Sequence, residues 1–107
     1  SLAQAYELFS QGQALFLDAR PEEEYQELHI PGAVNLWPEL LEQQEGQGRV
    51  ATIPKDRRIV VYCGQLSCDA ALKVAEKLQT LGFTRVAAFL GGFNAWDQAG
   101  YPADTGK

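Results

Sequence analysis

Cysteine and histidine are scarce in this 107-residue chain, which holds two of the first and one of the second. That is too few to staple a small secreted fold with disulfides, and no four-ligand metal site can be assembled from Cys and His in these numbers. The cysteines, Cys63 and Cys68, stand five positions apart, a spacing that fits neither a zinc framework nor a Cys-x-x-Cys redox pair. No apolar stretch approaches the roughly 20 residues of a membrane span, and no charged-then-apolar leader opens the chain. Positive charge is also in short supply. Nine Lys and Arg against fourteen Asp and Glu give a net charge of −5, a field that repels nucleic acid and anionic membrane. No metal, organic cofactor or nucleic-acid partner is expected, and no direct membrane insertion by this segment.

What the chain does hold is apolar residue, 46% of the total with 21% charged. That is enough for one compact core and too little chain for two, so residues 1–107 are expected to form a single soluble domain. Ser1 followed at once by a helical pattern reads as a cut from a longer protein, and both cytoplasm and periplasm stay open as its location.

Short apolar runs alternate with helical periodicity. Leu2, Ala5, Leu8 and Phe9 recur at helical spacing, with Ser1 as N-cap and Gly12 as stop. Strands are expected at Ala14 to Leu17, Ala33 to Leu36, Arg58 to Tyr62 and Val86 to Leu90, the first and last of them as buried runs. Pro21 opens an acidic helix from Glu22 to Leu28, whose Glu22, Glu23 and Glu24 suit a solvated helix start. Pro38 to Gln44 suits one or two helical turns, and the polar Gln43 to Gly48 is expected to be a mobile loop. The clearest helix runs from Asp69 to Leu81, with Ala71, Val74, Ala75 and Leu78 on one face and Lys73, Glu76 and Lys77 on the other. A last short helix is expected from Phe93 to Ala99, and Trp37 and Trp96 are read as packing residues. Such alternation implies an α/β fold with a parallel sheet covered on both faces.

Open α/β sheets bind ligands beyond the carboxyl ends of their strands. There the strand Arg58 to Tyr62 delivers Cys63, a short loop, and then the start of the long helix. Backbone N–H groups in such a loop and a helix N-terminus both favour a thiolate, and Gly64 permits a nest of N–H groups round an anion. Cys63 is thus the candidate nucleophile, with Gly64, Gln65, Leu66, Ser67, Cys68 and Asp69 as its substrate-binding loop. The plainer reading makes Cys63 a small buried hydrophobe.

Three motifs carry a resemblance. Asp18-Ala19-Arg20, Glu24-Tyr25 and His29-Ile30-Pro31-Gly32-Ala33-Val34-Asn35-Leu36 form the first. Val60-Val61-Tyr62-Cys63 is the second, and Leu90-Gly91-Gly92-Phe93-Asn94-Ala95-Trp96 with Gly100-Tyr101-Pro102 is the third. In this order they resemble the signatures of rhodanese-like domains. The resemblance implies a rhodanese-like α/β fold, with a central parallel five-stranded sheet, helices on both faces, and Cys63 as the residue that becomes a persulfide. It implies a sulfurtransferase that takes sulfane sulfur from a small-molecule or protein persulfide donor and passes it to a thiol acceptor. A thiol redox or sulfide-sensing module, and a regulatory non-catalytic domain of a larger protein, are the alternatives.

The rhodanese site loop typically closes on Arg, where this chain has Cys68. The related phosphatase branch resembles this fold but uses a loop one residue longer, so phosphate chemistry is not expected. Without Lys or Arg between Cys63 and Asp69, a dianion such as thiosulfate lacks charge-assisted contacts. Cys68 is either a resolving thiol for Cys63 or a small apolar filler; a bridge needs Cα atoms about 4.4–6.8 Å apart. Asp18 and Arg20 are accessory candidates at a strand's carboxyl end, where an ion pair of Arg20 with Glu24 or another carboxylate is favoured over contact with substrate. His29 is read as part of a structural turn rather than as a general base.

Overall fold

The computed structural model describes residues 1–65 and 67–106; Leu66, expected in the site loop, lies outside the described residues. Along the chain come α1 (Leu2–Ser10), β1 (Leu15–Asp18), α2 (Glu22–Glu27), β2 (Val34–Asn35), α3 (Pro38–Leu41), α4 (Gln44–Val50), β3 (Ile59–Tyr62), α5 (Ala70–Thr80), β4 (Val86–Phe89) and α6 (Gly92–Gln98). All strand pairs are parallel, and the order across the sheet is β2-β1-β3-β4. Every crossover carries helix, as parallel neighbours require.

Side chains on a strand alternate between faces, and the core divides accordingly. Leu17, Ile59, Val61 and Cys63 join one apolar cluster with Leu40 and Leu41 of α3, Val50 of α4, and Val74 and Leu78 of α5. Phe16, Val60, Tyr62 and Phe89 join the other, with Ala5 of α1, Tyr25 of α2, and Phe93 and Trp96 of α6. β3 is buried along its whole length, which explains its uninterrupted apolar run.

α1 begins with a capping box: the Gln4 N–H donates to Ser1 Oγ at 3.3 Å, and the amino group of Ser1 donates to Gln4 Oε1 at 3.2 Å. Its aromatic residues then lock onto α6. Phe9 meets Trp96 edge-on at 5.3 Å, and Tyr6 stacks on Tyr101 at 4.1 Å. The Trp96 indole is fully buried and donates to Pro102 O at 2.7 Å.

Two expectations are corrected. The sheet has four strands among the described residues, not the five implied by the family resemblance. The chain supplies only four apolar strand runs, and the segment after Gly100 adds a single antiparallel bridge, His29 to Asp104, rather than a strand. The second correction concerns Gln43 to Gly48, expected as a loop but helical from Gln44 as part of α4. Tertiary packing overrides its poor helix propensity. Val50 is buried, Arg49 pairs with Glu45 at 2.7 Å and donates to Asn35 O at 2.7 Å, and Gly46 lets α4 lie directly on the backbone of α3.

That approach gives opposite outcomes for two glycines of one helix. A Cβ at Gly46 would sit 2.0 Å from Leu40 O, whereas one at Gly48 would meet nothing within 4 Å. Gly46→Ala is expected to destabilise the fold by about 1–3 kcal/mol through forced backbone movement. Gly48→Ala should stabilise it by roughly 0.5–1 kcal/mol through improved helix propensity. Urea denaturation midpoints of the two variants check both signs.

Candidate active site

Cys63 follows the last residue of β3, at the carboxyl edge of the sheet, and is 6% exposed. Two N–H groups from the start of α6 hold the backbone there: Phe93 N–H donates to Cys63 O at 2.8 Å, and Asn94 N–H to Gly64 O at 2.9 Å. Gly92 makes this possible. Its φ is +69°, and a Cβ on it would stand 2.7 Å from Cys63 O and 2.8 Å from Gly64 C. In the sequence the signal for this contact is two glycines directly after a strand run, where close backbone approach is a standing reason for glycine.

The loop then turns back. Cys68 N–H donates to Gln65 O at 3.0 Å, and the exposed Gln65 and Ser67 side chains bond to one another at 2.9 Å. Cys68 is half-buried against the same apolar cluster that contains Cys63. The two sulfurs are bonded as a disulfide, with Cα atoms 6.3 Å apart. Asp69 precedes α5 without a side-chain cap and is exposed, its carboxylate 3.6 Å from the Lys73 ammonium.

Asp18 and Arg20 lie at the carboxyl end of β1 and pair with each other. Arg20 Nη2 stands 2.9 Å from Asp18 Oδ2, Arg20 Nε donates to Asp18 Oδ1 at 3.1 Å, and Nη2 also donates to Leu28 O. The favoured ion pair is therefore present with Asp18 as the partner carboxylate, not Glu24. Burial alone would lower the pKa of the guanidinium, but the hydrogen bond and charge of Asp18 outweigh it and hold the value above the ordinary one. Arg20 also lies over the Phe93 ring, 4.4 Å from its centroid, and its Cδ would be 3.6 Å from a Cβ on Gly64. The pair thus supports the site loop from behind. Asn35 ties in the backbone with donations from Nδ2 to Asp18 O and Arg20 O at 3.0 and 2.9 Å.

The neighbouring Tyr62 phenol stays neutral. Burial first, and then the Asp18 charge, push the Tyr62 phenol far above its usual range, while its oxygen accepts from Ile30 N–H at 3.1 Å. His29 is buried, stacked on Tyr25 at 3.9 Å, with Nδ1 2.7 Å from Tyr25 O. Those contacts fix its ring within the turn.

An open cleft of about 470 Å³ borders the loop at Asp69 and Ala70. Glu22, Glu23, Glu39 and Asp69 line it with Trp37, and Lys73 is its only lining cation among the described residues. Among the described residues no cluster of His, Cys, Asp and Glu could hold a metal ion, and no helix is long and apolar enough to cross a membrane.

The family model for the Rhodanese-like domain matches residues 1–99. The chain belongs to the rhodanese-like domain family. The likeness extends to whole relatives and to parts of larger ones. Thiosulfate sulfurtransferase GlpE of Coxiella burnetii is 27% identical over 104 residues, covering 97% of this chain and 91% of that protein. The HTH-type transcriptional regulator Rv0324 of Mycobacterium tuberculosis is 36% identical over 95 residues, where the match spans 89% of this chain but 39% of the regulator. Among solved structures, the BH2092 protein of Bacillus halodurans superposes with a TM-score of 0.86 at 26% identity, covering 97% of this chain and 74% of that one. The rhodanese-like domain of the Anabaena Alr3790 protein superposes with a TM-score of 0.78 at 25% identity, over 97% of this chain and 76% of that one.

The buried pair beneath the rhodanese loop gives a direct test. Asp18→Asn leaves a buried guanidinium without its counter-charge and is expected to destabilise the fold by about 3–5 kcal/mol. Replacing Arg20 by Met as well should recover part of that loss, which a double-mutant cycle of denaturation midpoints measures.

Proposed function

We propose that reduced Cys63 accepts a sulfane sulfur as a persulfide and passes it to a thiol or other nucleophilic acceptor, so that residues 1–107 act as one sulfurtransferase domain. The observation that carries this reading is a cysteine at the carboxyl end of the central strand β3, in a loop leading to α5, within a rhodanese-like fold. The ends of parallel strands are where such sheets do chemistry. A sulfur nucleophile that is loaded and then unloaded divides the transfer into two displacements.

Charge selects among donors. The GlpE relative is named for thiosulfate, yet this chain has no Lys or Arg from Cys63 to Asp69, and Arg20 is engaged with Asp18 and Leu28. Among the described residues the cleft beside the loop is lined by four carboxylates and one ammonium. A dianion is poorly held in such surroundings. Persulfide, polysulfide or mercaptopyruvate-like donors fit better than thiosulfate.

The reading is tested by reducing the protein, exposing it to polysulfide or mercaptopyruvate, and measuring its intact mass. One added sulfur atom mapping to Cys63, absent from Cys63→Ser, is the expected result. Labelling that survives in Cys63→Ser but vanishes in Cys68→Ser would place the acceptor on the wrong cysteine. For donor choice, Cys68→Arg compared with Cys68→Ala should shift the thiosulfate-to-mercaptopyruvate ratio of kcat/KM by about tenfold toward thiosulfate, since guanidinium grips an oxyanion in two places. An unchanged ratio in a folded variant removes the electrostatic argument.

A further inference from the structure

We propose that Cys68 resolves the sulfur-loaded Cys63, so that the domain reduces sulfane sulfur to free sulfide and is left with the Cys63–Cys68 disulfide. This rests on the assignment of Cys63 as the sulfur acceptor and gives the loaded sulfur a definite fate.

Three features of the loop carry it. The Cα atoms of Cys63 and Cys68 stand 6.3 Å apart, within bridging range, and the sulfurs are joined. The Cys68 N–H bond to Gln65 O makes a turn that brings the second cysteine back toward the first. Both residues pack on the same apolar cluster, so Cys68 faces inward with Cys63 rather than outward to solvent. No loop cation is present to retain a charged persulfide, and the Asp69 carboxylate closes the segment. Where the family loop typically closes on a guanidinium, this chain places a second nucleophile.

The step balances. Cys63 begins as Cys–S–SH and Cys68 as a thiol. The Cys68 sulfur, as thiolate, attacks Cys63 Sγ; the bond from Sγ to the outer sulfur breaks, and its electron pair leaves with that sulfur. The outer sulfur departs as hydrosulfide and takes up the proton lost by Cys68, giving one hydrogen sulfide and one disulfide. The sulfane sulfur is reduced by two electrons, and the two cysteine sulfurs supply them. Hydrosulfide is a better leaving group than an ordinary thiolate because its conjugate acid is stronger. A further turnover needs an external dithiol, which exchanges with the disulfide and leaves as a cyclic or protein disulfide. In a reaction sequence the domain therefore follows a step that produces persulfide or polysulfide, and it draws on a dithiol reductant.

The test uses reduced, desalted protein under anaerobic conditions with one equivalent of inorganic polysulfide. Intact mass, free thiols and released sulfide are followed for wild type, Cys68→Ala, Cys68→Ser and Cys63→Ser, each first shown to be folded by circular dichroism. Wild type should end two hydrogens lighter than its reduced form, with both thiols lost, no dimer, and one sulfide released beyond the amount seen with Cys68→Ala. The two Cys68 variants should instead hold one extra sulfur at Cys63, with a persulfide lifetime at least about tenfold longer than in wild type. Cys63→Ser should show neither product. Equal persulfide lifetimes in wild type and both Cys68 variants, with no bridge found by peptide mapping, overturn the resolving role while leaving Cys63 as acceptor. Failure of the Cys68 variants to take up any sulfur overturns the acceptor assignment, and this proposal with it.

Discussion

The backbone of the site loop is held by two hydrogen bonds from the start of α6 to the carbonyls of Cys63 and Gly64. They form only because Gly92 carries no side chain where Cys63 O and Gly64 C press against it. The position of the sulfur depends on this contact, because Cys63 has already left the β3 ladder. α6 is itself immobilised by Trp96, which is fully buried among Phe9, Phe16 and Tyr101. A chain of contacts thus runs from the capped helix α1, through an aromatic cluster, to the backbone carbonyls of Cys63 and Gly64. The packing of one face of the sheet positions the loop at its edge.

Beneath the loop, the Asp18–Arg20 pair plays a different part. Replacement of such a buried pair by apolar residues is often neutral for stability, so its presence is better explained by geometry than by energy. Arg20 touches the end of β1, the carbonyl of Leu28 and the ring of Phe93 at once. It joins the segment after α2 to the helix that holds the loop. A guanidinium so engaged is not free to serve the loop as an anion-binding group.

Much of the fold could be read from the residues. The runs of β1 and β3 are short and apolar because these strands are covered on both faces, whereas the edge strand β4, expected as buried, leaves Ala87 exposed; α5 shows its buried stripe in Ala71, Val74, Ala75 and Leu78. Cys63 at a strand end was legible for the same reason: the apolar run stops where the sheet stops. α4 was hidden because Gln-Gln-Glu-Gly-Gln-Gly has the composition of a loop, and the cause of its helicity is the contact of Gly46 with the backbone of Leu40. In the sequence the partner of Arg20 stays open between Glu24 and another carboxylate, because the bend after β1 that brings Asp18 to it is not written in periodicity. The Gly92 contact with Cys63 was hidden too, since sequence neighbours say little about which distant backbone a glycine touches. Compositional bias and spacing reveal what a segment buries, not what it meets.

The two tryptophans occupy very different surroundings. Trp96 is sealed in the aromatic cluster, while Trp37 is half-buried on the wall of the acidic cleft beside Asp69 and Ala70. The molecule therefore carries two natural optical reporters: emission from Trp96 follows the integrity of the packed face, and emission from Trp37 follows what enters the cleft. Replacing either indole with phenylalanine isolates the signal of the other, so unfolding and occupancy can be watched separately without any attached dye.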